Sequence, residues 1–229
     1  MSDNGQNRRL VTTTARDGIG QVTLARPQAR NAVSHSLVDD FEVALGSLHE
    51  RGHQVAILSA EAPAFCAGAD LRTSEPPRAV RPVERLVRLI ATSGIFWIAE
   101  VDGPALGGGV SLVAACPVSI CTEKAWFALP EYSLGFFPDA VYADLVPVMG
   151  RRNAMALAVS GRRVSAGEAK ELGLVTSVVS PAELATVSSG WAASVSRSPA
   201  AGHTAAAMWN AGYLRGHETD IGASNPSGG

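Results

Sequence analysis

The chain has 229 residues, 46% hydrophobic and 17% charged, with a formal net charge of −2. That length can bury one sizeable core, or a core with a small C-terminal appendage. The near-neutral balance, without a dense Lys/Arg run, argues against a nucleic-acid partner. From the N-terminus, MSDNGQNRR is polar with no apolar run behind it, so no secretory signal is expected. No segment reaches the roughly 20 apolar residues of a membrane span.

In chain order, residues 10–14 alternate weakly, Asp17-Gly18 is a hairpin turn signal, and 19–24 reads as a second strand. Ser34 or Ser36 is placed to cap a helix whose apolar positions are Leu37, Val38, Phe41, Leu45 and Leu48. A buried-type strand over 54–58 leads to the small-residue loop 64–71. Residues 72–82, rich in Pro and charge, read as a mobile surface loop. A helical pattern resumes over 83–90 and a strand over 96–101. Gly107-Gly108-Gly109 then opens an apolar helix to Ala115, and two short strands follow over 118–121 and 125–128. From Pro130 the pattern is mostly helical: 142–149, 153–160, 166–172, a strand over 175–179, then helices over 181–196 and 200–213. Residues 216–229 are Gly/Ser-rich and expected to be disordered. The expected organisation is a core over 1–195, a helical segment over 196–215 and that tail. Strand–helix alternation with a helical last third makes the fold class α/β, with no repeat of fixed sequence period.

Cys66, Cys116 and Cys121 are odd in number and sit among apolar neighbours, so they read as buried free thiols of a reducing compartment. His35, His49, His53, His203 and His217 show no ligand spacing. No metal or separate cofactor is expected, and the expected location is cytoplasmic.

Two loops carry the chemistry. Ala67-Gly68-Ala69-Asp70-Leu71 follows a strand and is small enough for its N–H groups to approach a ligand. Leu106-Gly107-Gly108-Gly109-Val110-Ser111 follows another strand and starts a helix, whose first N–H groups have no internal acceptor. A carbonyl oxygen between them would meet two backbone donors. Each such donor is worth about 3 kcal/mol of transition-state stabilisation. Either loop alone reads equally well as a tight glycine turn. Their occurrence about 40 residues apart, each after a strand, makes the pair informative.

The segments 26–32, 64–71 and 102–109 resemble three successive signatures of the crotonase (enoyl-CoA hydratase/isomerase) superfamily. Leu129-Pro130-Glu131 with 134–139 resembles a fourth, and 161–175 the family's G…A…A…G-L-V segment. The resemblance implies a spiral of repeated strand–strand–helix turns and C-terminal helices that assemble a homotrimer or hexamer. It implies an acyl-CoA thioester substrate, with coenzyme A as part of the substrate. By position, Ala69 and Gly108 would supply the oxyanion N–H groups. Ala67, Ala69, Asp70, Leu71 and Arg72 would line the adenine and pantetheine path, and Arg30 and Arg72 would lie near the CoA phosphates. Ordinary solvated charge explains those two arginines equally well.

Family hydratases use two carboxylates. The first position is Ser111 here, and the second is retained as Glu131. A serine hydroxyl does not ionise near neutral pH without an activating partner, so efficient hydration is not expected. Asp139 stands where some isomerases of the superfamily place an Asp. A double-bond shift needs one base, so Glu131 or Asp139 would serve, Asp139 being preferred. The commonplace readings are an N-cap for Asp139 and a first-turn acid beside Pro130 for Glu131. The expected function is therefore enoyl-CoA isomerisation, the alternatives being a non-catalytic acyl-CoA binder or a weak hydratase. A serine hydrolase using Ser111 lacks the second glycine of a nucleophile elbow.

Overall fold

A computed structural model describes residues 9–16, 18–72 and 81–217 of the chain. β1 (Val11–Arg16) and β2 (Ile19–Leu24) pair antiparallel, from Val11 opposite Leu24 to Arg16 opposite Ile19. Gly18 turns between them at φ +77°. Asp17 of the expected turn lies outside the described residues. α1 (His35–Glu50) begins where Ser34 Oγ accepts the Leu37 N–H at 3.2 Å, a cap worth about 1 kcal/mol. It buries the expected stripe from Leu37 to Leu48.

Thereafter each winding of the chain repeats one pattern. β3 (Val55–Ala60) is followed by the bridge residue Cys66 and then α2 (Pro82–Thr92). β4 (Phe96–Val101) is followed by β5 (Ala105–Leu106) and α3 (Gly108–Ala115). β6 (Val118–Thr122) is followed by β7 (Trp126–Ala128), a 3-10 turn over Pro130–Leu134, and α4 (Asp139–Ser160). The first strand of each winding joins a six-stranded sheet of order β1-β2-β3-β4-β6, parallel from β2 onward and completed by β9 (Ser177–Val179) beside β6. The second joins a small stack in which Cys66 bridges Ala105, β5 pairs with β7, and β7 pairs with β8 (Val164–Ser165). This is the expected spiral of strand–strand–helix turns. Its windings differ in length, so no fixed period shows in sequence.

α5 (Ala166–Glu171) and β9 (Ser177–Val179) close the large sheet, and α6 (Leu184–Ser196) and α7 (Pro199–His217) cover its outer face. Parallel strands buried on both faces explain the continuous apolar runs. Ala56 and Leu58 enter the main core, while Val55 and Ile57 meet Leu184, Ala192 and Ala206. Trp209 Nε1 donates to the Ala115 carbonyl at 3.1 Å, fastening α7 to the end of α3. The segment expected as 196–215 is thus the end of α6 with α7, lying on the same core. α4 is broken at Gly150 (φ 78°, ψ 154°), which separates the two helices expected there. Of the expected mobile loop, 73–80 lie outside the described residues, and so do 218–229 of the expected tail; Gly216 and His217 belong to α7.

Candidate active site

The two loops stand at equivalent places in successive windings, after Cys66 and after β5, which is why sequence places them about 40 residues apart. The first is anchored from behind by 26–32. Arg30 and Asn31 take left-handed conformations (φ 52° and 55°) and turn the Asn31 side chain into the interior. Its Nδ2 donates to the Glu61 carbonyl at 2.8 Å and the Ala64 carbonyl at 2.7 Å, while Oδ1 accepts the Arg26 N–H at 2.9 Å. Arg26 reaches on to Asp70, NH1 to Oδ2, at 2.6 Å. Burial works against the charged form of Asp70. Even so, the Arg72 N–H and the Arg26 guanidinium, with the two arginine charges, hold its carboxyl below the ordinary range.

Along that loop the backbone groups are taken alternately. The Gly68 N–H meets Cys66 Sγ, the Gly68 carbonyl accepts from Val33 at 2.8 Å, and the Asp70 N–H donates to the Val33 carbonyl at 3.0 Å. Between them the Ala69 N–H has no backbone acceptor among the described residues. In the second loop the Gly107 N–H donates to the Ala128 carbonyl at 2.9 Å. Gly108, first residue of α3, likewise has no backbone acceptor for its N–H among the described residues. Glycine lets the loops touch. A Cβ on Gly68 would stand 2.8 Å from the Leu106 carbonyl and 3.2 Å from Gly108 N, and one on Gly109 would strike the Cys66 carbonyl.

Ala69 and Gly108 face one mostly apolar cavity of about 460 Å³, whose wall also includes Ala67, Asp70 and Leu71. Arg30 and Arg72 are exposed and do not line it. Ser111, one turn into α3, is fully buried on the wall, and its Oγ has no hydrogen-bond partner among the described residues. Glu131 enters from the 3-10 turn after β7, with Pro130 as first residue of that turn. Gly107 makes room for it, since a Cβ there would collide with Glu131 Oε1. Burial pushes the Glu131 carboxyl above its ordinary range, against a hydrogen bond from its own N–H. Its Oε2 is buried without a hydrogen-bond partner among the described residues.

Asp139 stands at the cavity mouth, its side chain 72% exposed and 3.8 Å from Arg81 NH2. Pro138 is the N-cap of α4, and Asp139, the first residue of that helix, makes no side-chain cap. Sequence reasoning passed over Asp144 and His35, both buried and both on the cavity wall. The readable signals were an acid on the inward face of α4 and a histidine just behind an N-cap serine. The three cysteines are buried, and burial pushes the Cys66 and Cys121 thiols up to about 12. Among the described residues no His/Cys/Asp/Glu group is placed to hold a metal, and no helix is long and apolar enough to cross a membrane.

The pattern of the enoyl-CoA hydratase/isomerase family matches residues 14–222. The Bacillus subtilis protein YngF, named for the same family, is 33% identical over 93% of this chain and 84% of its own length. The peroxisomal Delta(3,5)-Delta(2,4)-dienoyl-CoA isomerase of Arabidopsis thaliana is 31% identical over 74% of this chain and 68% of its own. The mitochondrial enoyl-CoA hydratase domain-containing protein 2 of Mus musculus is 37% identical over 75% of this chain, which spans 61% of that protein. The crystal structure of an enoyl-CoA hydratase from Mycobacterium smegmatis superposes with a TM-score of 0.80 at 28% identity, covering 95% of this chain and 93% of that one.

Proposed function

The chain belongs to the enoyl-CoA hydratase/isomerase family, the crotonase superfamily, and on that footing we propose that it shifts the double bond of a 3-enoyl-CoA to the 2-position. The thioester oxygen sits between the N–H groups of Ala69 and Gly108. Glu131 takes a proton from C2, and the electron pair moves into a dienolate whose charge rests on the thioester oxygen. A proton then adds at C4, leaving the double bond between C2 and C3. The observation that carries this reading is Glu131 Oε2, buried, without a hydrogen-bond partner among the described residues, and on the wall of the cavity that both loops also line. Asp139, exposed and beside Arg81, is the weaker candidate base. Isomerisation assayed in Glu131→Gln and Asp139→Asn tests the assignment. Loss of about a hundredfold is expected in the first variant only, the usual size of a general-base effect.

A second reading, weak hydration, has one observation in its favour. Ser111 Oγ and Glu131 Oε2 both lack a partner among the described residues and line one cavity, and a water held between them would satisfy both. Ser111→Glu should then raise hydration of a 2-enoyl-CoA above the parent's. We further propose that the protein assembles as a homotrimer or hexamer, as the resemblance implies; exposed Met155, Val159 and Met208 offer apolar surface for it. The reaction needs no cofactor beyond the coenzyme A of its substrate.

A further inference from the structure

Asp144 is a carboxylate where packing alone would place an apolar residue. On α4 its inward neighbours Val141, Leu145 and Met149 are buried and belong to the main core. Asp144 is buried among them at 7% exposure. Burying a carboxyl on an apolar helix face costs stability unless partners offset it, so its place beside a cavity calls for a use. The cavity supplies one. Ala140, Val141 and Asp144 all line it, as the 3.6-residue period requires of positions four and three apart. Asp144 lies about 7.5 Å further along the helix than the mouth residue Asp139, at 1.5 Å per residue. α3, which carries Ser111, packs on α4. The cavity therefore has two carboxyl side chains in its wall, the buried Asp144 and the half-buried Glu131, entering from different elements.

We infer that Asp144 is the second proton-transferring group of the site, acting at C4 while Glu131 acts at C2. The inference rests on the isomerase reading above. At C2 the C–H bond breaks, its proton goes to the Glu131 carboxylate, and its electrons enter the dienolate. At C4 a C–H bond forms with the proton of the Asp144 carboxyl, and the 3,4 double bond becomes the 2,3 bond. The turnover ends with Glu131 protonated and Asp144 ionised, and one proton exchanged through solvent water restores both. No oxidant, reductant or metal enters the balance.

The experiment follows a 3-enoyl-CoA in deuterated water by proton NMR, for the parent and for Asp144→Asn. The variant should still wash deuterium into C2 within about threefold of the parent rate, while conversion to 2-enoyl-CoA falls about a hundredfold. Unchanged conversion in the variant would overturn the inference. So would equal losses of exchange and conversion, which a merely structural role produces. Absence of C2 exchange in the parent would overturn the Glu131 assignment as well, so the two failures are told apart. A second measurement needs no variant: with a substrate deuterated at C2 in ordinary water, the parent should deliver no deuterium to C4. Label retained at C4 would mean one carboxylate serves both carbons, and would refute a role for Asp144.

Discussion

At the scale of single residues the account turns on Glu131 and on two backbone N–H groups. Since burial raises the Glu131 pKa, a reaction that needs its ionised form should gain rate as pH rises through that value. The acid limb of kcat/KM should therefore lie above the ordinary glutamate value of about 4.3. A limb at or below that value would contradict the placement. Gly108 allows a clean removal of one donor, because proline is tolerated at the first position of a helix. Side-chain room is the obstacle, as even a Cβ there would stand 2.5 Å from Val83 Cγ1. Gly108→Pro combined with Val83→Ala should fold and lose about 10²–10³ in kcat. Val83→Ala alone should keep most activity, and full activity in the double variant would remove Gly108 from the oxyanion role. That two small-residue loops meet at one cavity was legible in sequence, because close backbone approach follows from loop composition. The exposure of Asp139 at the mouth and the seat of Glu131 behind Gly107 were not legible, because both depend on the path of the chain.

The elements show why that was so. The 3-10 turn over Pro130–Leu134, the two-residue strands β5 and β8 and the Cys66 bridge are too short to leave a period, yet they set the site's geometry. α1, α2 and β4 were readable because each carries an apolar pattern of its own. Gly107→Ala tests the contact between loop and turn: its Cβ would displace the Glu131 carboxylate, and φ +50° disfavours any side chain. Activity should fall at least tenfold while the fold, read by circular dichroism, persists; unchanged activity would deny that Gly107 positions Glu131. A second test lies away from the site, where Ser188 of α6 donates to the Glu100 carboxylate of β4. Burial pushes the Glu100 carboxyl up, against that hydrogen bond, so the folded state holds this proton more tightly than the unfolded chain. Its stabilising contribution is full below the unfolded value of about 4.3 and is lost as pH rises through the raised folded value. The melting temperature of Glu100→Gln should therefore gain on the parent's as pH rises across that window. A gap that stays constant with pH would contradict the linkage.

For the whole molecule, sequence disclosed the family and the α/β class through motifs in order, while the lateral arrangement of the windings had to be seen. α7 illustrates the limit: the resemblance implied C-terminal helices that serve assembly, and in the fold Ala206 packs on the sheet while Met208 stays exposed. Light scattering should give the mass of a trimer or hexamer, and a monomer at micromolar concentration would refute that proposal. The central claim is the proton shift itself. Its most direct measurement mixes the protein with a 3-enoyl-CoA and follows products by ultraviolet absorbance and NMR, in parallel with Glu131→Gln. The account predicts a conjugated 2-enoyl-CoA as main product, with at least about a hundredfold loss in the variant. A thioester that binds without losing a C2 proton, or a 3-hydroxyacyl-CoA formed as main product, would contradict it.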